Sequence, residues 1–457
     1  MKRFGRDVAT SVGAAPSEVA PRGRFAAMRE QGSPARRATT TIIDQGFASA
    51  SNFAVGIVVA RIAGPAGLGA YAVAYSVWLV LAAVHRSLVT EPMSIESDVR
   101  RDDAAPRIRA GLAAELELGT GVGVLVAVVG VVVIVFGQRN VGIALLTLAP
   151  FLPFLLAQDY WRWVGFMQAR PNRALANDTV FNTVQAFMLV VLIMAGLRSP
   201  SVAIAAWGIG AIAGTLYGLR QFSVFPTFRG GLAMASARWQ LSKFLLAGSL
   251  TAWGSTQAYP ILAGQAIGSA ALGGLKAAQA LVSGPSMVLA QAAGSIGLPE
   301  AATALEDGGF AKMHRVSLFV MVANVVGIGL FAAAVLVAAP QLLSWIYGPE
   351  FAQYAPAARI IAVAFVIQTF GTAGILVLKT TRQTHLHFRI GVAMFTVSAI
   401  STVAFSYWWG VNGTASAMVL SALVGSSLYL GAERRTAREY ATADPARGTT
   451  VLSSSDA

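Results

Sequence analysis

The chain has 457 residues, of which 55% are hydrophobic and 12% are charged, and its mean hydropathy is +0.62. A water-soluble domain of this length does not have such a composition, so the solvent of this protein is predicted to be a lipid bilayer. Cysteine is absent and histidine occurs four times, which argues against disulfides, metal sites and cofactors. The net charge is +13, and the basic residues lie between apolar segments. They therefore indicate the orientation of the chain in the membrane and not nucleic-acid binding.

A basic stretch without an apolar core occupies residues 1–38 and is predicted to be a disordered cytoplasmic tail, not a signal peptide. About twelve apolar segments follow, each long enough to cross the bilayer as an α-helix. They are predicted at 39–61, 69–95, 108–136, 141–165, 172–197, 200–220, 242–267, 270–298, 313–338, 353–380, 386–408 and 411–433. The predicted fold class is therefore an all-α polytopic membrane protein.

The apolar segments divide into two groups of six. A first six-helix lobe is predicted at 39–221, a cytoplasmic connector at 222–241 and a second six-helix lobe at 242–433. Residues 434–457 are polar and are predicted to form a second cytoplasmic tail.

The basic residues choose one orientation in the membrane. With the N-terminus in the cytoplasm, the outer loops contain only Arg61, Arg139, Arg198 and Arg359. Most other Lys and Arg residues fall on the cytoplasmic side, as the positive-inside rule requires. The sequence predicts a multi-pass protein of the inner or plasma membrane with both termini in the cytoplasm.

Two Gly-rich blocks indicate an internal repeat. Residues 64–71 and residues 268–275, which lie 204 positions apart, each join the first two helices of their half. Because six helices separate the blocks, the two halves have the same orientation and are predicted to be related by an axis along the membrane normal. A central cavity can then form between them. The alternative is a chance similarity of small residues, which are common in membrane helices.

Several stretches resemble a known family. Residues 60–71, 342–351, 355–360 and 410–415 resemble the multidrug/oligosaccharidyl-lipid/polysaccharide (MOP) exporter superfamily, and within it the Wzx-type polysaccharide-biosynthesis flippases. Residues 86–92 are similar to a stretch of actinobacterial members. The resemblance implies two six-helix lobes, as in MATE and other MOP transporters, that open alternately to either side. They would carry a polyprenyl-diphosphate-linked oligosaccharide to the outer leaflet.

The same resemblance implies the partners of the protein. They are the lipid-linked glycan, the membrane lipids and a polysaccharide-biosynthesis complex, with no nucleic acid. It implies transport and not catalysis. The chain also contains no GxxxxGK[ST] motif, so hydrolysis of ATP by the chain itself is not predicted.

Arg86 is the first candidate for substrate binding. It lies deep in the second predicted span, where a charge is costly unless it faces a cavity. A guanidinium binds phosphate oxygens bidentately, and the neighbouring His85 can assist. The alternative is an ion pair between helices.

Glu91 and Pro92 close the same span and are predicted to be a hinge, because proline removes a backbone donor; a plain helix end is the alternative.

Polar stripes mark two further helices. Asp44 and Asn52 lie on one face of the first span, and Asp178, Asn182 and Gln185 lie on one face of the fifth. These side chains are predicted to line the cavity, where those of the fifth span can bind sugar hydroxyls, or alternatively to hold helices together.

Three more charges lie in predicted spans. Lys276 either contributes to the cavity or extends its amine to the interface. Asp159 and Arg162 are three residues apart in the fourth span and are predicted to pair with each other.

Two other functions compete with the flippase prediction. An ion-coupled drug antiporter of the same fold would use Asp44 as its ion-binding carboxylate. A glycan polymerase or transferase would need catalytic carboxylates, and Asp102 and Asp103 lie in a short loop with no sugar-nucleotide domain around them. No catalytic residue and no metal ligand is therefore predicted.

Overall fold

The computed structural model describes residues 34–95, 105–168, 170–225, 231–257, 259–292 and 297–443. Within these ranges the chain forms helices and no β-strand. The parts of the predicted tails at 1–33 and 444–457 lie outside the described residues, as do Asp102 and Asp103. The side chain of Asp44 does too, although its backbone is helical.

The first half contains six long helices. Pro34–His85 breaks at Gly64 into α1 (34–63) and α2, and α2 continues through Arg86–Thr90 and Glu91–Ile95. The others are α3 (Ala105–Val135), α4 (Arg139–Met167), α5 (Pro171–Met194) and α6 (Pro200–Phe222). A short connecting helix, Gly231–Ala237, precedes the second half.

The second half repeats this arrangement. Trp239–Gln257 and residues 259–267 form α7, and the break at Gly268 separates it from α8 (269–292). Leu298–Tyr347 breaks at Gly309, after which α9 (310–347) begins. Pro349–Thr380 forms α10, and Thr384–Ala443 breaks at Gly410 into α11 (384–409) and α12 (411–443).

Helix positions agree with the predicted spans, but several helices are longer. The chain is already helical at Pro34, inside the stretch predicted to be a disordered tail, and α12 continues to Ala443, past the predicted start of the second tail. An ion pair between Arg435 and Glu439, one turn apart and 2.9 Å between Nε and Oε1, supports that extension. Short polar stretches therefore extend helices that begin in the membrane.

The helices have the composition of membrane spans. Eight helical segments among the described residues are long and apolar enough to cross a bilayer. Three of them contain a break, at Gly64, Gly309 and Gly410, and those at Gly64 and Gly410 each separate two helices of membrane-spanning length. With α7 and α8, about twelve passes result. Valines cover the exposed face of α3, and α9 exposes a similar apolar face. These faces suit lipid, so the fold is the predicted all-α membrane fold.

One glycine with positive φ stands in each turn on one side of the molecule. These residues are Gly64, Gly137 and Gly196 in the first half and Gly268, Gly348 and Gly410 in the second. We call this side the glycine face. The opposite side, where the chain enters α1 and leaves α12, is the terminal face. The same order of turns in both halves supports the predicted repeat.

The two halves touch most closely where α2 crosses α8. A Cβ atom on Gly69 would overlap the carbonyl oxygen of Ser269, and a Cβ atom on Gly273 would overlap that of Pro65. Gly69 and Gly273, like Pro65 and Ser269, are 204 positions apart, so the contact is symmetric about the axis between the halves. Such small residues let membrane helices approach at backbone distance.

Further contacts join the halves at the glycine face. The Arg61 guanidinium on α1 donates hydrogen bonds to the carbonyls of Trp345 and Ile346 at the end of α9, at 3.0 Å for the bond to Ile346. A separate contact lies within the second half, where the hydroxyl of Tyr354 donates a hydrogen bond to the carbonyl of Ala270, at 3.2 Å. A cation on the last carbonyls of a helix is favourable because those groups are otherwise unpaired.

The α2–α8 crossing predicts that Gly69→Ala destabilises the protein by about 1–3 kcal/mol, because the added methyl group forces two backbones apart. Gly121→Ala is the matched control, since a Cβ atom there meets open space on the lipid side of α3 and alanine favours helix. Thermal unfolding in detergent, followed by tryptophan fluorescence, measures both. Equal midpoints for the two variants would contradict the close crossing.

Candidate functional site

Arg86 lies in the part of α2 that runs beside the second half, next to Ser87, which contacts α7. Tyr75, Leu79, Ala82 and Arg86 follow one stripe of α2 by helical spacing. At the upper end of this stripe, the Tyr75 ring lies 5.9 Å from Nζ of Lys276 on α8. Near its lower end, the hydroxyl of Ser87 lies 2.8 Å from that of Ser249 on α7. The stripe is therefore beside the boundary between the lobes.

The Arg86 guanidinium forms a bidentate ion pair with Asp159 of α4. Its Nε and Nη2 atoms lie 2.7 Å and 2.6 Å from the two carboxylate oxygens. The guanidinium also lies over the Trp163 ring, 5.7 Å from its centre. About 31% of the Arg86 side chain stays exposed, against 9% for Asp159. The cation is thus the accessible partner, and the carboxylate lies behind it.

His85 forms a second buried pair. Its Nδ1 atom lies 2.7 Å from Oε2 of Glu115 on α3, and the exposed fractions of the two side chains are 3% and 2%. Glu115 also interacts electrostatically with Arg86 and Asp159. Glu115 is therefore buried among the helices of the first lobe, with its carboxylate paired to His85. Four titratable side chains from three helices therefore meet at one level of the first lobe.

A widened helical turn follows Arg86. Residues Arg86–Thr90 form a π-helical turn in which the N–H of Glu91 donates to the carbonyl of Arg86. The cause is Pro92, which has no N–H and whose ring would clash with the carbonyl four residues earlier. Helix continues through Pro92 to Ile95. Such turns are frequent at functional sites, and the predicted hinge at Glu91 and Pro92 stays a prediction.

The predicted pair within α4 is wrong. Asp159 pairs with Arg86 of α2, while Arg162 pairs with Asp178 of α5 at 3.0 Å. Gln158 also donates to Asp178, at 2.8 Å. These residues project from α4 toward different neighbours, so pairing between helices replaces pairing along one helix.

The polar residues of α5 belong to this second network. Asp178 accepts hydrogen bonds at its carboxylate, and the Asn182 amide donates to the Asp178 backbone carbonyl at 2.7 Å. Gln185 is buried where α5 packs on Gly210 of α6. The structure thus places Asp178, Asn182 and Gln185 between helices of one lobe. This is the helix-holding alternative for these residues.

Lys276 lies apart from the Arg86 group. Its amine faces Tyr75, whose ring is part of an aromatic cluster with Trp78 of α2 and Trp207 of α6. No carboxylate among the described side chains pairs with Lys276. The Tyr259 hydroxyl hydrogen-bonds Gln279, one turn further along α8. The Lys276 amine therefore faces the first lobe.

Asn52 is not part of this group. Asn52 is exposed on α1, and the side chain of Asp44 lies outside the described residues. Within the described ranges, no group of three His, Asp or Glu residues could hold a metal ion. Arg86 does form the ion pair between helices that was the alternative to substrate binding, and the sequence did not identify Asp159 and Glu115 as the partners of Arg86 and His85. In the sequence, Asp159 and Glu115 are visible only as isolated carboxylates inside apolar helices, which does not show what they pair with.

Comparison with known proteins shows the fold. No protein-family model and no curated protein matches the chain. An inward-facing MATE family multidrug resistance transporter of the MOP superfamily has a TM-score of 0.67, with 14% identity, over 84% of this chain and 93% of that chain. The lipid II flippase MurJ, in an inward closed conformation, has a TM-score of 0.66, with 10% identity, over 86% and 87%. The chain has the MOP transporter fold.

A third similar structure extends this result. A MOP superfamily transporter from Pyrococcus furiosus, whose binding pocket is described as having reverse polarity, has a TM-score of 0.56, with 13% identity, over 89% of this chain and 96% of that chain. These structures confirm the predicted fold class. The narrower assignment to Wzx-type flippases and to actinobacteria stays a prediction.

The network on α5 predicts that Asp178→Ala destabilises the protein by about 3–5 kcal/mol, because it leaves Arg162 buried without this carboxylate. Asp178→Asn keeps an acceptor for Gln158 and is expected to lose less. Asn52→Ala, at an exposed position, is the control. Unfolding midpoints in detergent rank the three variants. A midpoint for Asp178→Ala equal to that of Asn52→Ala would contradict a structural role.

Proposed function

We propose that this protein is a transporter that moves a lipid-linked oligosaccharide, carried on a polyprenyl diphosphate, between the leaflets of the cell membrane. The observation that supports this most directly is the accessible guanidinium of Arg86 beside the boundary between two MOP-like lobes. A buried anion site on such a boundary suits a phosphate headgroup, because guanidinium binds phosphate oxygens bidentately. The proposed activity is translocation and requires no catalytic residue.

The exposed fractions of the charged side chains around Arg86 favour an anionic ligand over a cationic one. Asp159, Glu115 and His85 are each less than one-tenth exposed, while Arg86 is about one-third exposed. A ligand that enters between the lobes therefore meets the positive member of the pair first. A cationic drug would need the reverse order, with the carboxylate facing the ligand.

A second cation extends the proposed site. Lys276 and Tyr75 lie toward the glycine face, and Tyr75 is eleven residues, or roughly 16 Å, from Arg86 along α2. A lipid-linked glycan with its diphosphate at Arg86 and its sugar hydroxyls near Lys276 would contact both cations. Trp78 and Trp207 pack against Tyr75 and hold its ring beside Lys276.

The charge on the two faces supports one orientation of the protein in the membrane. In the described loops the glycine face has Arg61, Arg139, Arg198 and Arg359, while more basic residues lie at the terminal face. The positive-inside rule then favours a cytoplasmic terminal face. We propose outward transport of the glycan for cell-surface polysaccharide synthesis, with proteins of that synthesis as partners.

Outward movement of a fluorescent polyprenyl-diphosphate oligosaccharide in proteoliposomes tests this proposal. The parent is expected to move the lipid, and Arg86→Ala is expected to slow movement by about 10- to 100-fold, the cost of one charged hydrogen-bonded contact. A membrane-impermeant reductant that quenches only the outer label measures the rate.

Two controls keep that result interpretable. Arg435→Ala removes a charge of the same kind from an exposed position on α12 and is expected to leave transport unchanged. Arg86→Met combined with Asp159→Asn removes the cation without leaving a buried carboxylate unpaired, so it separates loss of binding from loss of folding. No movement by a folded parent, together with ion-driven export of drugs, would favour the antiporter instead.

A further inference from the structure

We propose that the groove between α9 and α10 binds a membrane phospholipid near the glycine face, with Arg359 of α10 on the phosphate and the acyl chains along the groove below it. This site lies on the exposed surface of the second lobe, whereas Arg86 lies in the first. It does not depend on the proposed function, because it needs only the membrane fold and not the cargo.

A proline in α9 fixes the guanidinium of Arg359. Pro340 has no N–H, so the carbonyl of Leu336, four residues earlier, loses its helical donor. The Nε atom of Arg359 donates to this carbonyl instead, at 2.8 Å. The bond holds the guanidinium at α9, because a carbonyl in a bilayer must be satisfied by the protein itself. The positions 204 residues earlier are Phe136 and Leu155, so the first lobe has neither the proline nor the arginine.

The bond to Leu336 leaves one edge of the guanidinium available. It uses only Nε, and the Nη1 and Nη2 atoms have no hydrogen-bond partner among the described residues. Glu350 is the acidic residue of the glycine-face turns, and its carboxylate lies against Gly348 instead. An edge with two parallel N–H groups binds two oxygens of a phosphate. Arg359 is therefore a cation that is held in place and has no described anion.

The depth of Leu336 matches the region between acyl chains and headgroups. Helix α9, from 310 to 347, is roughly 57 Å long, while a hydrocarbon core is about 30 Å thick. An equal excess at both ends places the core boundary about 13 Å below Tyr347. Leu336 is eleven residues, or roughly 16 Å, below Tyr347, and its carbonyl points toward the glycine face. The guanidinium bound to that carbonyl therefore lies close to the boundary.

An apolar groove continues from Arg359 toward the middle of the membrane. On α10, Arg359, Val363 and Phe370 share one face by helical spacing, and Val363 and Phe370 are exposed. On α9, Leu336 is exposed, and Gly329 lies two turns below it on the same face. A Cβ atom on Gly329 would meet open space. The groove thus has a cation at one end and room for an acyl chain below it.

Charge and shape together select the occupant. Free phosphate satisfies Arg359 but leaves the apolar groove empty. A second copy of this chain could offer only Glu350 as an anion from its glycine-face turns. A phospholipid supplies an anion at the level of Arg359 and acyl chains at the level of Gly329, so it satisfies both parts of the groove.

Native mass spectrometry of the full chain, delipidated in detergent, tests this proposal. The first probe is dioleoyl phosphatidylglycerol, an anionic lipid with one phosphodiester, and its titration gives the dissociation constant of the first bound lipid. The second probe is glycerophosphoglycerol, which has the same phosphodiester without acyl chains. The parent is expected to bind the lipid more tightly by about tenfold or more, because only the lipid fills the groove.

Two variants and two matched controls locate the lipid. Arg359→Met is expected to weaken binding of the first lipid by about 10- to 100-fold, through loss of a charged hydrogen-bonded contact. Arg198→Met removes an exposed arginine of the same face and is expected to bind like the parent. Gly329→Leu keeps Arg359 but fills the groove and is expected to weaken binding by about tenfold. Gly121→Leu, at an equally open position on α3, is expected to change nothing.

Each possible result decides. Equal lipid affinity of the parent and Arg359→Met overturns the proposal, and equal affinity of the parent for both probes would show a site for free phosphate. A dimer that lipid does not displace would give the groove to a second copy, and equal affinities of Gly329→Leu and Gly121→Leu would remove the acyl chain from it. If Arg359→Met does not fold, Pro340→Ala combined with Arg359→Met replaces it, because alanine restores the backbone donor for Leu336.

Discussion

The close crossing of α2 and α8 positions everything else between the two lobes. In a bilayer, helices gain little from burying apolar side chains against each other, so association depends on close packing. Gly69 and Gly273 allow this packing because neither has a Cβ atom to hold the backbones apart. Below that contact, α2 runs toward the terminal face as one helix. The heights of Tyr75 and Arg86 relative to the second lobe therefore follow from the crossing and from helical rise.

The two halves share a fold but not their charges. Positions 204 residues after His85 and Arg86 are occupied by Leu289 and Ala290, so the second copy of this helix has no titratable group there. A charge in a membrane helix costs about 2.5–3.5 kcal/mol, and a fold that needed only packing would not retain one. The first lobe satisfies its charges by pairing them, as in Arg86 with Asp159. The repeat explains the shape, whereas the buried charges around Arg86 have no counterpart at the matching positions of the second lobe.

Hydropathy and turn glycines were sufficient to predict the spans and the repeat, because the bilayer requires every spanning segment to satisfy its own backbone. The depth of Arg86 was also visible in the sequence. The partner of Arg86 was not visible. Asp159 could pair with Arg162, three residues away on the same helix, or with Arg86 on α2, and only the rotation of α4 against α2 decides which pair forms. The pairing of Glu115 was not visible either, because its partner His85 belongs to another helix.

The proline and the charges of α2 are parts of one arrangement. In a regular α-helix the residue four positions after Arg86, Thr90, would lie directly beneath it. The π turn that Pro92 forces adds one residue, so the backbone of Glu91 pairs with that of Arg86 instead. Glu91, one turn away, interacts electrostatically with Arg86. A change in the winding of this end of α2 would therefore move Glu91 relative to the guanidinium and change its electrostatic environment.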